Sequence, residues 1–329
     1  QPANRRQHPA NLTILFQFYG IMTSSLAAQP GAIARTRYWY WRGWRIRYQI
    51  IETGTSRRDL PPLVLLHGFG ASSEQWRDNV ATLAQQYTVY ALDLLGFGGS
   101  EKAATIFNAD LWSAQVYDFW QAWIDRPMIL LGHSLGALVA LNTAVQYPDT
   151  VERLILLTLP AAREELLSGR MEALSRTAER LFSTPLLIRP IFQIFRRRGI
   201  IRRALLGIYQ RPDRVNEALV QQFVKPTQDR GAARTLCYLV RSRTELQFTP
   251  ETKKLLPQLK IPTLLLWGQA DRIIPLAWGE QIAPLSPQVT FEVIPDVGHC
   301  AYDDEPELIN QQIIDWLSGS LSTGEREQS

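Results

Sequence analysis

Met128-Ile129-Leu130-Leu131-Gly132-His133-Ser134-Leu135-Gly136 is the stretch on which the reading of this chain turns. Four apolar residues run into a G-x-S-x-G turn, and residues 135–147 continue with helical apolar spacing. A serine held in a tight strand-to-helix turn projects its oxygen above the end of a sheet. A side chain two residues to either side would collide with that turn, which accounts for Gly132 and Gly136. The pentapeptide alone occurs by chance; a strand before it and a helix after it make it a nucleophile elbow.

Working outward, Leu63-Val64-Leu65-Leu66 is a second short, wholly apolar run, and it leads into His67-Gly68. Such a run is the mark of a strand buried on both faces. The same form recurs at 88–92, 154–157, 263–267 and 289–294, while residues 44–51 alternate and pair with the Trp-rich stretch that begins at Tyr38. Helix-length segments at 76–86, 111–124, 135–147 and 275–283 lie between them. Strands alternating with helices at this spacing predict an α/β fold, a mostly parallel twisted sheet with helices on both faces. Residues 160–260 break the alternation with Arg-rich helical periodicity and no buried strand. They follow the sixth strand, over the sheet edge where ligands bind in open α/β sheets, and read as a helical cap or lid. The expected organisation is a core of residues 38–159 and 261–320, a basic cap at 160–260, and tails at 1–37 and 321–329.

The chain has 329 residues, 46% hydrophobic and 20% charged, with a net charge of +4. That suffices for one large domain with a full core and excludes low-complexity and collagen-like classes. Cys237 and Cys300 form no CxxC or Cys/His cluster, so neither a disulfide framework nor structural zinc is indicated. Residues 161–250 carry 17 Lys+Arg against 8 Asp+Glu. A basic middle on an acidic body indicates an anionic partner for that segment. No stretch reaches the ~18 apolar residues of a membrane span. At the N-terminus Arg5 and Arg6 precede an apolar run at 12–22, and Ser25-Leu26-Ala27 offers a small-x-small site, the outline of a secretory signal. Gln17, Phe18 and Tyr19 make the run poorer than a usual signal core, and Met22 is a candidate start. The segment therefore reads first as a disordered tail, with a targeting segment or a surface anchor as the other readings.

A serine nucleophile needs a base, and the base an orienting acid. Of four histidines, His8 lies in the tail, His67 ends a strand and His133 is locked into the elbow, which leaves His299 after the last strand. The acid belongs between Ser134 and His299 at a strand end. Asp271 fits, in the loop after the seventh strand. Residues 154–162 hold no carboxylate, and Asp303 and Asp304 lie too near His299 in sequence to reach its outer ring nitrogen easily. The oxyanion needs backbone donors: Leu135 N–H, directly after the nucleophile, and Phe69 N–H in the loop His67-Gly68-Phe69-Gly70. Asp93, in Asp93-Leu94-Leu95-Gly96-Phe97-Gly98-Gly99-Ser100, precedes the serine and reads as a turn-stabilising residue.

The elbow, the His-Gly loop, the Asp93 turn, Asp271 and His299 together resemble the α/β-hydrolases of the esterase/lipase superfamily, over roughly residues 40–317. Serine at 134 argues against the dehalogenases and epoxide hydrolases, which use aspartate there. A narrower resemblance, carried by residues 40–48, 67–73, 92–98 and 297–300, is to the pheophytinase and chlorophyll-dephytylase-like hydrolases of plants and cyanobacteria. It implies cleavage of the phytyl ester of a tetrapyrrole at or near a photosynthetic membrane.

The expectation is thus a serine hydrolase that cleaves a hydrophobic ester through an acyl-enzyme and needs neither metal nor organic cofactor. It is expected in the cytoplasm or peripheral on a photosynthetic membrane, a secreted protein being the lesser reading. Three alternatives stand beside it: a general carboxylesterase or lipase on membrane lipids, a carbon–carbon hydrolase or cofactor-free perhydrolase, and a low-turnover binding or receptor protein. Residues 185–208 mix six arginines (Arg189, Arg196, Arg197, Arg198, Arg202 and Arg203) with Leu, Ile and Phe and contain no acid. That is the composition of an interfacial helix, and equally of a lid helix whose apolar side covers the site. No recognition motif for nucleic acid accompanies the charge, and no nucleic-acid partner is expected.

Overall fold

The computed structural model describes residues 33–166, 184–244 and 248–319. The expected N-terminal tail or signal up to residue 32, part of the cap and the C-terminal tail lie outside the described residues. Eight strands form one sheet: β1 (Ile33–Trp41), β2 (Trp44–Glu52), β3 (Leu63–Leu66), β4 (Val89–Leu92), β5 (Met128–His133), β6 (Val151–Leu157), β7 (Thr263–Gly268) and β8 (Val289–Ile294). Their order is β1-β2-β4-β3-β5-β6-β7-β8. β1, β2 and β4 pair antiparallel, and every pair from β4 to β8 is parallel.

The apolar runs behave as two-sided strands. Val64 and Leu66 join one core with Leu130, Leu156, Leu265 and Trp267, while Leu63 and Leu65 join the other with Leu131, Ile155, Leu264 and Leu266. Successive side chains leave opposite faces of a pleated strand, so an unbroken apolar run fills both cores at once. The longer helices covering these faces are α1 (Ala109–Trp123), α2 (Leu135–Gln146), α7 (Leu276–Ile282) and α8 (Pro306–Ser318), with α3 to α6 in the insertion between β6 and β7. These are α3 (Pro185–Phe195), α4 (Arg198–Ile208), α5 (Glu217–Val224) and α6 (Ala232–Ser242). α2 is apolar nearly all round because it is buried nearly all round.

Two expectations are corrected. The first strand begins at Ile33, inside the segment assigned to the N-terminal tail. Its residues through Tyr38 are exposed, so no burial pattern announces it; backbone pairing to β2 across the turn at Arg42 (φ 49°) and Gly43 (φ 85°) holds it in place. The helix expected at 76–86 is instead a 3₁₀ turn, Ser73–Trp76, and one helical turn, Val80–Leu83. Its polar residues are drawn into tertiary bonds: Arg77 to Asp303, and Asn79 Nδ2 to the Tyr302 carbonyl and Asn310 Oδ1.

Candidate active site

Ser134 sits between β5 and α2 with φ 52° and ψ −116°, a strained conformation for a residue with a side chain. The turn is held from both ends. Ser134 N donates to the Leu157 carbonyl at 3.0 Å, and Ala137 N and Leu138 N donate to the Ser134 carbonyl at 2.9 and 3.1 Å. The two glycines are there for close approach. A Cβ on Gly132 would lie 2.2 Å from the Gly136 carbonyl oxygen, and one on Gly136 would lie 2.3 Å from that of Leu66. The second contact presses the elbow against the end of β3, where the His67–Gly70 loop begins.

Asp271 and His299 meet. His299 Nδ1 donates to Asp271 Oδ2 at 2.8 Å, and Asp271 Oδ1 accepts from Ile273 N and Ile274 N at 2.8 and 2.9 Å. Both carboxylate oxygens are thus committed, and the Asp271 side chain is sealed from solvent. The Nδ1–H tautomer leaves Nε2 as the unprotonated ring nitrogen. Parallel neighbours β7 and β8 bring the two loops together: Gln269 N donates to the Ile294 carbonyl and Ala270 N to that of Val297, both at 2.9 Å. A Cβ at Gly268 would lie 2.3 Å from the Gly298 carbonyl oxygen, so Gly268 permits this approach. Nothing in the sequence marks it, because a glycine ending a strand carries no sign of which loop will press on it.

His133 is buried beside Ser134, and its Nε2–H donates to the His299 carbonyl at 2.9 Å. Burial, with His299 adding to it, holds its pKa well below the usual imidazole value. It stays neutral, its Nδ1 facing the space a Gly68 Cβ would occupy, 2.8 Å away. His67 is fixed too: Leu94 N donates to its Nε2 at 3.0 Å, so Nδ1–H donates to the Gly68 carbonyl at 2.8 Å. Burial lowers its pKa as well.

Asp93 is the hub of its turn, as expected. It accepts from Ser73 N and Gly99 N at 2.6 Å each and pairs with Arg47 Nε at 2.6 Å. Burial alone would raise its pKa, but Arg47, His67 and these N–H donors outweigh it and hold the carboxyl below the usual range. Asp303 and Asp304 stay away from the His299 ring. Asp304 accepts from Gly298 N at 3.2 Å and from Gln210 N and Arg211 N of the insertion. Asp303 binds Arg77, Arg214 and the Tyr209 hydroxyl. Two adjacent acids after the histidine signal buried partners, but not which ones.

Phe69 is half exposed with its ring against Phe97, 5.3 Å between centroids, while Leu135 is buried. Beside Phe69 opens a cavity of about 110 Å³, walled by Phe97 from the core and by Phe192, Phe223, Leu236 and Leu239 from the insertion. Among the described residues the one cation on its wall is engaged: Lys102 Nζ donates to the Gly98 and Ser100 carbonyls and lies 3.1 Å from Asp229. Among the described residues no group of three or more His, Cys, Asp or Glu is placed to hold a metal ion.

Sheet order, elbow and the paired Asp271 and His299 define a hydrolase of α/β fold. The chain belongs to the family described as the alpha/beta hydrolase fold, whose profile matches residues 61–306. Among curated relatives, an uncharacterized hydrolase of Bacillus subtilis, YugF, is 27% identical over 260 residues, covering 78% of this chain and 89% of its own. The chloroplastic pheophytinase of Arabidopsis thaliana is 24% identical over 319 residues, covering 85% of this chain and 65% of its own. Among solved structures, the epoxide hydrolase CorEH superposes with a TM-score of 0.71 at 24% identity, covering 88% of this chain and 100% of its own. That likeness is one of fold.

Proposed function

We propose that this chain is a serine hydrolase that cleaves a hydrophobic carboxylic ester, with Ser134 as nucleophile, His299 as general base and Asp271 as the acid that orients it. The observation that carries the reading is the doubly anchored Asp271 bonded to His299 Nδ1, on a loop tied through His133 to the strained serine. His299 Nε2 takes the Ser134 hydroxyl proton as Oγ attacks the ester carbonyl. The N–H groups of Leu135 and Phe69, on two loops in contact, hold the oxyanion. The C–O bond to the alcohol then breaks, and the alcohol leaves with the proton from His299. Water, deprotonated by the same nitrogen, attacks the acyl-enzyme and restores Ser134.

The substrate we propose is a long, apolar ester, with the phytyl ester of a chlorophyll derivative as the leading case. The apolar cavity beside Phe69, the motif resemblance and the pheophytinase relative support it. The helical insertion serves as a lid over this cavity. Incubating the protein and its Ser134→Ala variant with detergent-solubilised pheophytin a and chlorophyll a tests this directly. Serine-dependent release of phytol and dephytylated pigment is expected. Labelling of Ser134 by a fluorophosphonate without pigment turnover would retain the serine hydrolase and overturn the substrate. Failure of both would overturn the mechanism.

A further inference from the structure

α3 has two apolar faces where packing against the core uses only one. Ile188 and Phe192, one turn apart, point inward and are buried, and Phe192 walls the cavity beside Phe69. On the adjoining, exposed side Leu187, Ile191 and Ile194 form a stripe at helical spacing, and Leu186 and Phe195 extend it at the two ends. These five residues are between 41% and 87% exposed. α4 follows after a two-residue break and adds exposed Leu206. Bulky apolar side chains in this number on one helix face are surface that needs a partner.

The charge around the stripe selects the partner. No Asp or Glu occurs from residue 184 to 210. Arg198 pairs with Glu217, and Arg202 lies 3.9 Å from the same carboxylate. Among the described residues Arg189, Arg196, Arg197 and Arg203 have no carboxylate within salt-bridge distance. A second copy docking by the same patch would set these cations against each other, and like charges across an interface oppose association. Anionic headgroups neutralise them while the stripe enters the acyl boundary.

We propose that α3 and the start of α4 form a docking face for an anionic lipid bilayer. The contact is peripheral, since no helix among the described residues is long and apolar enough to cross a membrane. Because Phe192 on the inner face of α3 walls the cavity, a lipophilic ester leaving the bilayer at this helix meets the apolar cavity beside Phe69. That corollary depends on the ester reading above; the docking does not.

Co-sedimentation of the full chain, carrying Ser134→Ala so that turnover plays no part, tests the docking. The vesicles are phosphatidylcholine alone, or phosphatidylcholine with about one-third phosphatidylglycerol. Binding about tenfold or more tighter to the anionic vesicles, weakened by salt, is expected. Ile191→Glu with Ile194→Glu should abolish it, and Arg196→Gln with Arg197→Gln should remove the anionic preference. Melting curves like that of the parent show that both variants fold, and with Ser134 restored both should cleave a short nitrophenyl ester as the wild type does. Equal binding to the two vesicles, binding by the Ile variant at the parent level, or self-association without vesicle binding would each overturn the proposal. A chain that binds vesicles in this pattern yet cleaves no ester would overturn the hydrolytic reading and leave the docking standing.

Discussion

His133 Nε2–H donates to the carbonyl oxygen of His299 at 2.9 Å, tying the residue before Ser134 to the backbone of the residue that pairs with Asp271. The two histidines are 166 positions apart in the chain, with ring centroids 4.8 Å from each other. This bond fixes the height of the His299 loop over the elbow, a quantity that neither the Asp271 contact nor the serine turn sets by itself.

Removing that donor should therefore displace His299, the proposed base, without touching the cavity beside Phe69. His133→Phe is expected to lower kcat by about 10- to 100-fold, as small misplacements of reacting groups do, with KM for a soluble nitrophenyl ester little changed. His133→Gln, which keeps an N–H donor, should recover much of the loss. Equal kcat in wild type and both variants would show the bond to be incidental.

The strained backbone at Ser134 has a measurable counterpart. Ser134→Gly should relieve it and raise stability by about 1 kcal/mol, while under the proposed mechanism turnover falls by at least ~10⁴-fold for want of the serine hydroxyl. Denaturant melts set beside activity assays separate the two effects. A destabilised glycine variant would contradict the strain.

Gly268→Ala sets a methyl carbon 2.3 Å from the Gly298 carbonyl oxygen, backbone against backbone. The loops that carry Asp271 and His299 must part, so a stability loss of about 1–3 kcal/mol is expected, together with a fall in kcat. Calorimetry and steady-state kinetics on one preparation check both. Full activity in the alanine variant would mean that the loops can yield without separating the pair.

The pH dependence of stability has a definite sign. Burial depresses the pKa of both His67 and His133 below the ordinary 6.5 that they regain on unfolding. Above that value neither state binds the extra proton. As the pH falls through 6.5 the unfolded chain takes up protons that the native state refuses, so stability drops by up to about 1.4 kcal/mol per pH unit for each histidine. Asp93, whose pKa is held below the ordinary 3.8, adds its loss only at lower pH. Asp304, whose pKa burial raises, works the other way. Urea melts between pH 7.5 and 5 should show the decline, and His133→Gln should flatten it; an unchanged slope would count against a neutral buried His133.

Asp303 joins the insertion to the core, binding Arg77 from one side and Arg214 with the Tyr209 hydroxyl from the other. Its side chain is 1% exposed. Asp303→Asn leaves Arg77 and Arg214 with only the more exposed Asp78 between them as countercharge and should cost about 3 kcal/mol. Protease cleavage within the insertion, followed against the wild type, should accelerate.

Much of this protein could be read along the chain. Apolar runs such as Leu63–Leu66 announce strands buried on both faces, because local burial sets local hydrophobicity, and the G-x-S-x-G turn announces its own backbone geometry. Chain order and elimination singled out Asp271 and His299, and the structure brings those two together. Where side chains are exposed the signal fades, so the sequence pattern marks the first strand only from Tyr38 although it begins at Ile33. Where polar residues serve distant partners it misleads, and the segment around Arg77 and Asn79 carries a helical pattern that the fold does not use. Only the tertiary structure decided that Gly268 presses on Gly298, that His133 holds His299, that Asp303 joins insertion to core, and that one face of α3 is left uncovered. Each depends on which loops the sheet order sets side by side and which faces packing covers, and both are properties of the assembled fold rather than of any local stretch of sequence.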